Sequence, residues 1–229
     1  MGSWIINKIL NSVTEKNLPS RNRAVQSEFR KRQLINSTID CIEKLGLSQT
    51  TIASIAKHAG MSQGIVVFHF QTKELLLEKT LQRLSDDYSN CWKKAYNNAE
   101  SAPLERLCAL IKAVFSSTVC NRKLVGVWYA FWSDSRSRLL YKDLCGKQDI
   151  AYTSYLLKQC QSLEATVLST MGANDAALSI ESMISGLWQE LLIGSPGFKQ
   201  KEAVSIVFKL LQLIYPDRCH EIKRLEKET

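Results

Sequence analysis

The chain has 229 residues, 45% hydrophobic, with a net charge of +8; four prolines and ten glycines are few, which favours long helices over β architecture. No run approaches the roughly eighteen apolar residues of a membrane-spanning helix, which excludes a helical membrane protein. Seven cysteines without a Cys-x-x-Cys pair, and three histidines at no metal-ligand spacing, give no sign of a metal site or cofactor, and reduced thiols fit a cytoplasmic protein.

Met1–Val13 carries Trp4, Ile5, Ile6, Ile9 and Leu10, interrupted by Asn7 and Lys8. It is too short and polar for a secretory signal and reads as a brief amphipathic helix or an extension without fixed structure. Thr14–Gln26 is polar and basic and runs into Arg30, Lys31 and Arg32. It is either a solvated tail or an arm that lies along phosphates or enters a minor groove. Residues 1–26 therefore form an extension ahead of a first helix over about Ser27–Leu45. Residues 1–80 hold eleven Lys and Arg against six Asp and Glu, while the rest hold nineteen against sixteen. The basic excess gathers where a phosphate-binding face is expected.

Thr51–Lys73 reads as two short helices around one glycine. Ile52, Ile55, Ala56 and Ala59 recur at helical spacing. Gly60 suits the left-handed C-terminal cap of that helix, and Ser62 suits the N-cap of the next. Ile65, Val66 and Phe68 are expected to pack inward, leaving Gln63, Gly64, Val67 and His69 outside. A recognition helix presents its N-terminal side chains to the major groove. Gln63 can bond an adenine edge through its amide, and Val67 can touch a thymine methyl. Gly64 permits close approach to the duplex. Ser62, His69 and Lys73 suit phosphate contacts that position without reading sequence.

In that order the residues resemble the DNA-binding domain of the TetR family. The likeness runs from the first helix to Lys73-Glu74-Leu75-Leu76. It includes Gln49-Thr50-Thr51-Ile52, Ile55-Ala56, Ala59-Gly60-Met61-Ser62, Gly64 and Phe68-His69-Phe70. The resemblance implies a DNA-binding set of Thr51, Ser62, Gln63, Gly64, Val67, His69 and Lys73, with the reader itself over residues 27–72. The family usually has an aromatic residue, often tyrosine, where this chain has His69.

From Lys73 the pattern is helical nearly to the end. Lys73–Asn98 is a long connecting helix with one end on the reader and the other on the remaining domain. Helices follow over about Pro103–Cys120, Leu124–Ser133 and Ser137–Met171, with Asn121-Arg122-Lys123 as a turn, a break near Asp134–Ser137 and Gly146 as a candidate kink. Helices over about Asp175–Ile193 and Lys199–Ile214, separated by Gly194-Ser195-Pro196-Gly197, close a domain spanning 73–216. Residues 217–229 read as a polar tail. Most cysteines sit in apolar helical contexts and read as core; Cys120 is the candidate for a redox role.

Trp128 and Trp132 share one helix face, with Phe131 beside them, and Trp188 lies in a second motif. These rings are either core or an aromatic box. Such a box attracts a quaternary ammonium through the negative faces of its rings. Asp134 and Glu190 are the candidate carboxylates. Trp128-x-Ala130-Phe131-Trp132-Ser133 and Gly186-Leu187-Trp188 resemble the BetI subgroup of the TetR family. That likeness implies an all-α, homodimeric, cytoplasmic repressor of palindromic operator DNA responding to choline or a related quaternary amine. It places dimerisation on the last two long helices, with Ala176, Ile180, Met183, Ile184, Leu187 and Leu191 as the apolar face; the alternative is that this face is core. Three other readings stay open: a TetR-type regulator of a drug or lipid, a helical interaction protein that no longer binds DNA, and a small helical enzyme. The sequence offers no nucleophile–base pair for the last, so no catalytic residue is assigned.

Overall fold

Apolar positions spaced for helices dictate the architecture, and in the computed structural model, which describes residues 21–194 and 197–228, every regular element is helical. α1 spans Arg21–Gln49, α2 Ile52–Ala59, α3 Gln63–Phe70 and α4 Lys73–Asn98. α5 spans Pro103–Val114, α6 Arg122–Ser133 and α7 Ser135–Glu164. α8 (Ala173–Ile193), α9 (Gln200–Ile214), a 3-10 turn (Pro216–Arg218) and α10 (Cys219–Lys227) complete the order. None of these helices is long and apolar enough to cross a membrane.

Two hydrophobic clusters divide the chain. The smaller joins Leu34 and Cys41 of α1, Ile55, Ala56 and Ala59 of α2, Val66 and Phe70 of α3, and Leu76 of α4. The larger joins α4 to α10 and takes Ile39 and Ile42 from α1. α1 therefore offers one face to each cluster. α4 does the same along its length, placing Leu76 in the first and Leu77, Leu81, Leu84 and Trp92 in the second.

Several boundaries depart from the sequence reading for local chemical reasons. α1 is already helical at Arg21, so the basic residues from there to Gln26 belong to a helix and not to an extended arm. Residues 1–20, including the Met1–Val13 segment, lie outside the described residues, as do Ser195 and Pro196 of the α8–α9 turn. α5 stops at Val114, because Ser116, Ser117 and Thr118 offer the backbone competing hydrogen bonds. The Ser116 carbonyl accepts from the Val119 and Cys120 amides at 3.0 and 2.7 Å. Asn121 then caps α6, its side chain accepting from the Leu124 amide at 3.0 Å, so Arg122 and Lys123 form a first helical turn. α7 continues through Gly146 and ends at Glu164. Beyond it, the Thr170 amide donates to the Ile214 carbonyl at 2.9 Å and ties this segment to the end of α9.

The last helices decide one open reading and correct another. On α8, Ala176, Ile180 and Ile184 are buried in the subunit's own core, and Met183, Leu187 and Leu191 are half-buried against it. The side turned outward instead carries Leu178, Ser182, Gln189 and Ile193. The expected polar tail contains the amphipathic α10, which buries Ile222 and Leu225. Lys112 of α5 closes that helix by donating to the Leu225 and Glu228 carbonyls. Two apolar residues at i and i+3 among charges leave a narrow stripe, which is why the segment reads as polar. Ile222→Ala should lower stability to urea by about 2–4 kcal/mol, whereas Lys223→Ala on the exposed side should change it by less than about 0.5 kcal/mol.

Candidate DNA reader and effector cavity

The reader is built by its caps. Thr51 begins α2: its side chain accepts from the Ser54 amide at 3.1 Å, and its own amide donates to Ser54 Oγ at 2.9 Å. Gly60 ends α2 in the left-handed conformation (φ 65°, ψ 32°), a backbone that glycine adopts without a Cβ penalty. The Met61 amide donates to the Ala56 carbonyl at 2.9 Å and completes the turn. Ser62 caps α3, with Oγ accepting from the Ile65 amide at 3.4 Å.

On α3 the exposed residues are Gln63, Gly64, Val67 and Phe68, while Val66 and Phe70 are buried. Phe68 is 78% exposed, contrary to the expectation that it packs inward. At roughly 100° per residue it lies about 200° around the helix from Val66 and must face away from the core. His69 occupies the flank instead: it is half-buried, with Nε2 sealed from solvent and without a protein partner. Burial, and then Lys31 and Arg30, hold its pKa below the ordinary histidine range. Its expected place on the open face is therefore corrected. Lys73 is half-buried and donates to the Leu47 carbonyl at 3.2 Å, which makes it first a tie between α4 and the end of α1.

α3 ends at Gln71, a non-glycine residue with φ 60° and ψ −56°. The Thr72 amide donates to the Phe70 carbonyl at 2.6 Å across it, a tight three-residue turn that side chains resist. Thr72 then caps α4 through the Leu75 amide at 3.1 Å.

In the larger domain a cavity of about 180 Å³ lies between α4, α6, α7 and α8. Tyr88, Trp128, Trp132, Tyr141, Tyr152 and Trp188 line it together with Asp149, Glu181, Ser85, Ile184 and Ser185. Trp128 and Trp132 stack at 6.2 Å, and Tyr141 stands edge-on to both at 5.9 and 5.8 Å. Tyr88 stands edge-on to Trp188 at 5.9 Å. The three expected tryptophans are therefore brought together, and the tyrosines come from helices remote in sequence. Phe131 is fully buried and packs behind the cavity without lining it.

The carboxylates are not those expected from the sequence. Asp134 is exposed and caps α7, accepting from the Ser137 amide at 2.8 Å; its hydrogen bonds to Ser137 hold its pKa below the usual carboxylate range. Glu190 is exposed near the end of α8 and does not line the cavity. Asp149 and Glu181 take that place. Tyr141 donates to Asp149 Oδ2 at 2.5 Å, and Thr153 donates to Glu181 Oε1 at 2.9 Å. Burial raises the Asp149 pKa, the Tyr141 hydrogen bond partly opposes this, and the charge of Glu181 adds to it. The Trp188 indole N–H is buried and has no protein partner. Neither acid stands in a recognisable local motif; only the i, i+8 relation of Tyr141 and Asp149 along α7 hints at a shared side.

Cys120 is fully buried and burial pushes its thiol up to about 12, which removes it as a redox candidate. Of the seven cysteines, all free, only Cys91 and Cys219 are partly exposed.

A helix-turn-helix reader joined to a helical domain with an aromatic cavity defines a transcriptional regulator. Residues 34–80 match the model for bacterial regulatory proteins of the tetR family, and residues 103–215 match that for the BetI-type transcriptional repressor C-terminal domain. The HTH-type transcriptional regulator BetI of Burkholderia thailandensis is 30% identical, covering 84% of this chain and 96% of that protein. BetI 1 of Chromohalobacter salexigens is 28% identical over 80% and 89%. The chain belongs to the TetR family and carries a BetI-type C-terminal domain, and its relatives are regulators rather than enzymes.

Solved structures share the fold. A transcriptional regulator from Pseudomonas aeruginosa PAO1 matches with TM-score 0.67 and 22% identity, covering 91% of this chain and 100% of that one. One from Saccharomonospora viridis, in complex with choline, matches with TM-score 0.67 and 18% identity over 80% and 95%. FadR from Bacillus subtilis, in complex with stearoyl-CoA, matches with TM-score 0.64 and 17% identity over 80% and 97%.

Relief of the positive φ makes Gln71→Gly stabilising, by about 1 kcal/mol after the entropic cost of glycine. A rise in the urea midpoint at unchanged slope would show it.

Proposed function

We propose that the protein is a dimeric repressor that binds palindromic operator DNA and releases it when choline or a related quaternary amine fills the aromatic cavity. The observation that carries this reading is the composition of the cavity: six aromatic rings, two carboxylates and no basic residue. Ring faces and carboxylates attract a cation, and neither repels its methyl groups. BetI relatives and a choline-bound structural neighbour support the same ligand class. A lipid ligand is disfavoured, because about 180 Å³ is below the roughly 300–1,000 Å³ of sites for larger molecules.

Dimerisation and DNA recognition follow from the same family logic. Exposed Leu178 and Ile193 on α8 and Leu213 on α9 are the apolar side chains available for pairing these helices across a twofold axis. Two readers so related can address two half-sites. Gln63, Gly64 and Val67, exposed on α3, would face the bases, with Thr51 and Ser62 near phosphates. Ligand would favour an orientation in which the two readers are wrongly spaced.

Four measurements test this. Choline should change tryptophan emission, and Trp132→Ala should weaken its binding by several-fold, the scale of one cation–π contact; no response at millimolar choline overturns the ligand. Asp149→Asn should weaken choline binding about tenfold, or ~1.4 kcal/mol. Burial raises the Asp149 pKa above the ordinary carboxylate range, and a bound cation opposes that shift by favouring the ionised acid. Affinity should therefore decline as pH falls through the raised titration, with proton release on binding. Calorimetry within that acidic range, in buffers of different ionisation enthalpy, should show that release in the wild type and not in Asp149→Asn. Gln63→Ala should weaken operator binding by about 1–3 kcal/mol and leave non-specific binding unchanged in mobility shifts.

A further inference from the structure

A second cavity, of about 420 Å³, lies at the seam between reader and sensor. Asp40 of α1, Asp87 and Tyr88 of α4, and Lys123 and Trp128 of α6 bound it. Tyr88 and Trp128 also line the effector cavity, so these two rings stand between the two spaces. At the far side of the seam, Lys123 Nζ lies 2.9 Å from Asp40 Oδ1, and His58 Nε2 of α2 lies 3.9 Å from Asp40 Oδ2. The Asp40 carboxylate on α1 thus faces α2 of the reader on one side and α6 of the sensor on the other.

Lys123 and Trp128 share a helix of 12 residues. An element that short shifts as one piece, so a ligand that displaces the Trp128 ring displaces the Lys123 end as well. Tightly packed interfaces do not yield continuously; a gap at the seam supplies the clearance such a shift needs. The ion pair itself is half-exposed and adds little to global stability, so it can change without unfolding either domain.

We propose that Asp40 and Lys123, with His58 beside them, are the positioning residues that hold the reader in its operator-competent orientation and pass cavity occupancy to it. The part concerning occupancy rests on the effector reading above. A pair that favours the operator-competent orientation works against the effector-bound one, and linkage fixes the signs. Losing the pair weakens operator binding and tightens effector binding.

The test is operator titration by fluorescence anisotropy, using the DNA upstream of the protein's own gene, and choline titration by tryptophan emission. Wild type, Asp40→Asn, Lys123→Met and the double exchange Asp40→Lys/Lys123→Asp are compared. Each single variant should bind operator about two- to fivefold more weakly and choline up to about fivefold more tightly, the scale of a half-exposed pair. The exchange should return both toward wild type. A merely structural role would lower both affinities together. That result, unchanged operator affinity in the single variants, or an exchange that restores nothing would overturn the proposal. If wild-type operator binding ignores choline, the effector reading fails, while the operator arm still decides whether the pair positions the reader.

Discussion

Two helices, α1 and α4, each serve two hydrophobic cores, and the rest of the molecule depends on that sharing. A helix can present apolar residues on separate faces, as α1 does with Leu34 and Cys41 on one side and Ile39 and Ile42 on the other. The reader is thereby neither an independent unit on a tether nor an inseparable part of one core. It is held by continuous backbone and by a seam that is only partly filled. Such a joint allows a change of orientation without loss of either core.

The aromatic cavity illustrates how two carboxylates are placed among rings at tolerable cost. Burying a carboxylate is expensive unless it is hydrogen-bonded, and both acids have a hydroxyl donor, from Tyr141 and Thr153. Neither donor is charged, so neither cancels the negative potential. The rings form most of the remaining wall. Tyr141 serves both purposes, standing edge-on to the tryptophan pair and donating to Asp149.

What the sequence makes legible is local. Gly60 and Ser62 announce their caps, and Trp128 and Trp132 announce a shared face, because the governing contacts lie within four residues. Sequence misleads where the partner is distant or where residue type outranks helical phase. Phe68 is apolar and so suggests an inward place, yet its angle around α3 points it out. Asp134 and Glu190 lie near the tryptophans in sequence, whereas the lining acids come from the middle of α7 and of α8. α10 is hidden because only its packing against α5 and its closure by Lys112 give its two apolar residues a purpose.

The placement of Ile222 and Leu225 has a consequence for the order in which the molecule is made. The reader cluster draws on nothing beyond Leu76, whereas the larger core is incomplete until α10 can cover it. During synthesis, a chain that has emerged only as far as α9 carries every residue of the reader core but an open sensor. Domains that finish early in this way fold before the rest of the chain arrives. The interval before α10 docks is then the stage at which the sensor's apolar surface is most open to chaperones or to aggregation.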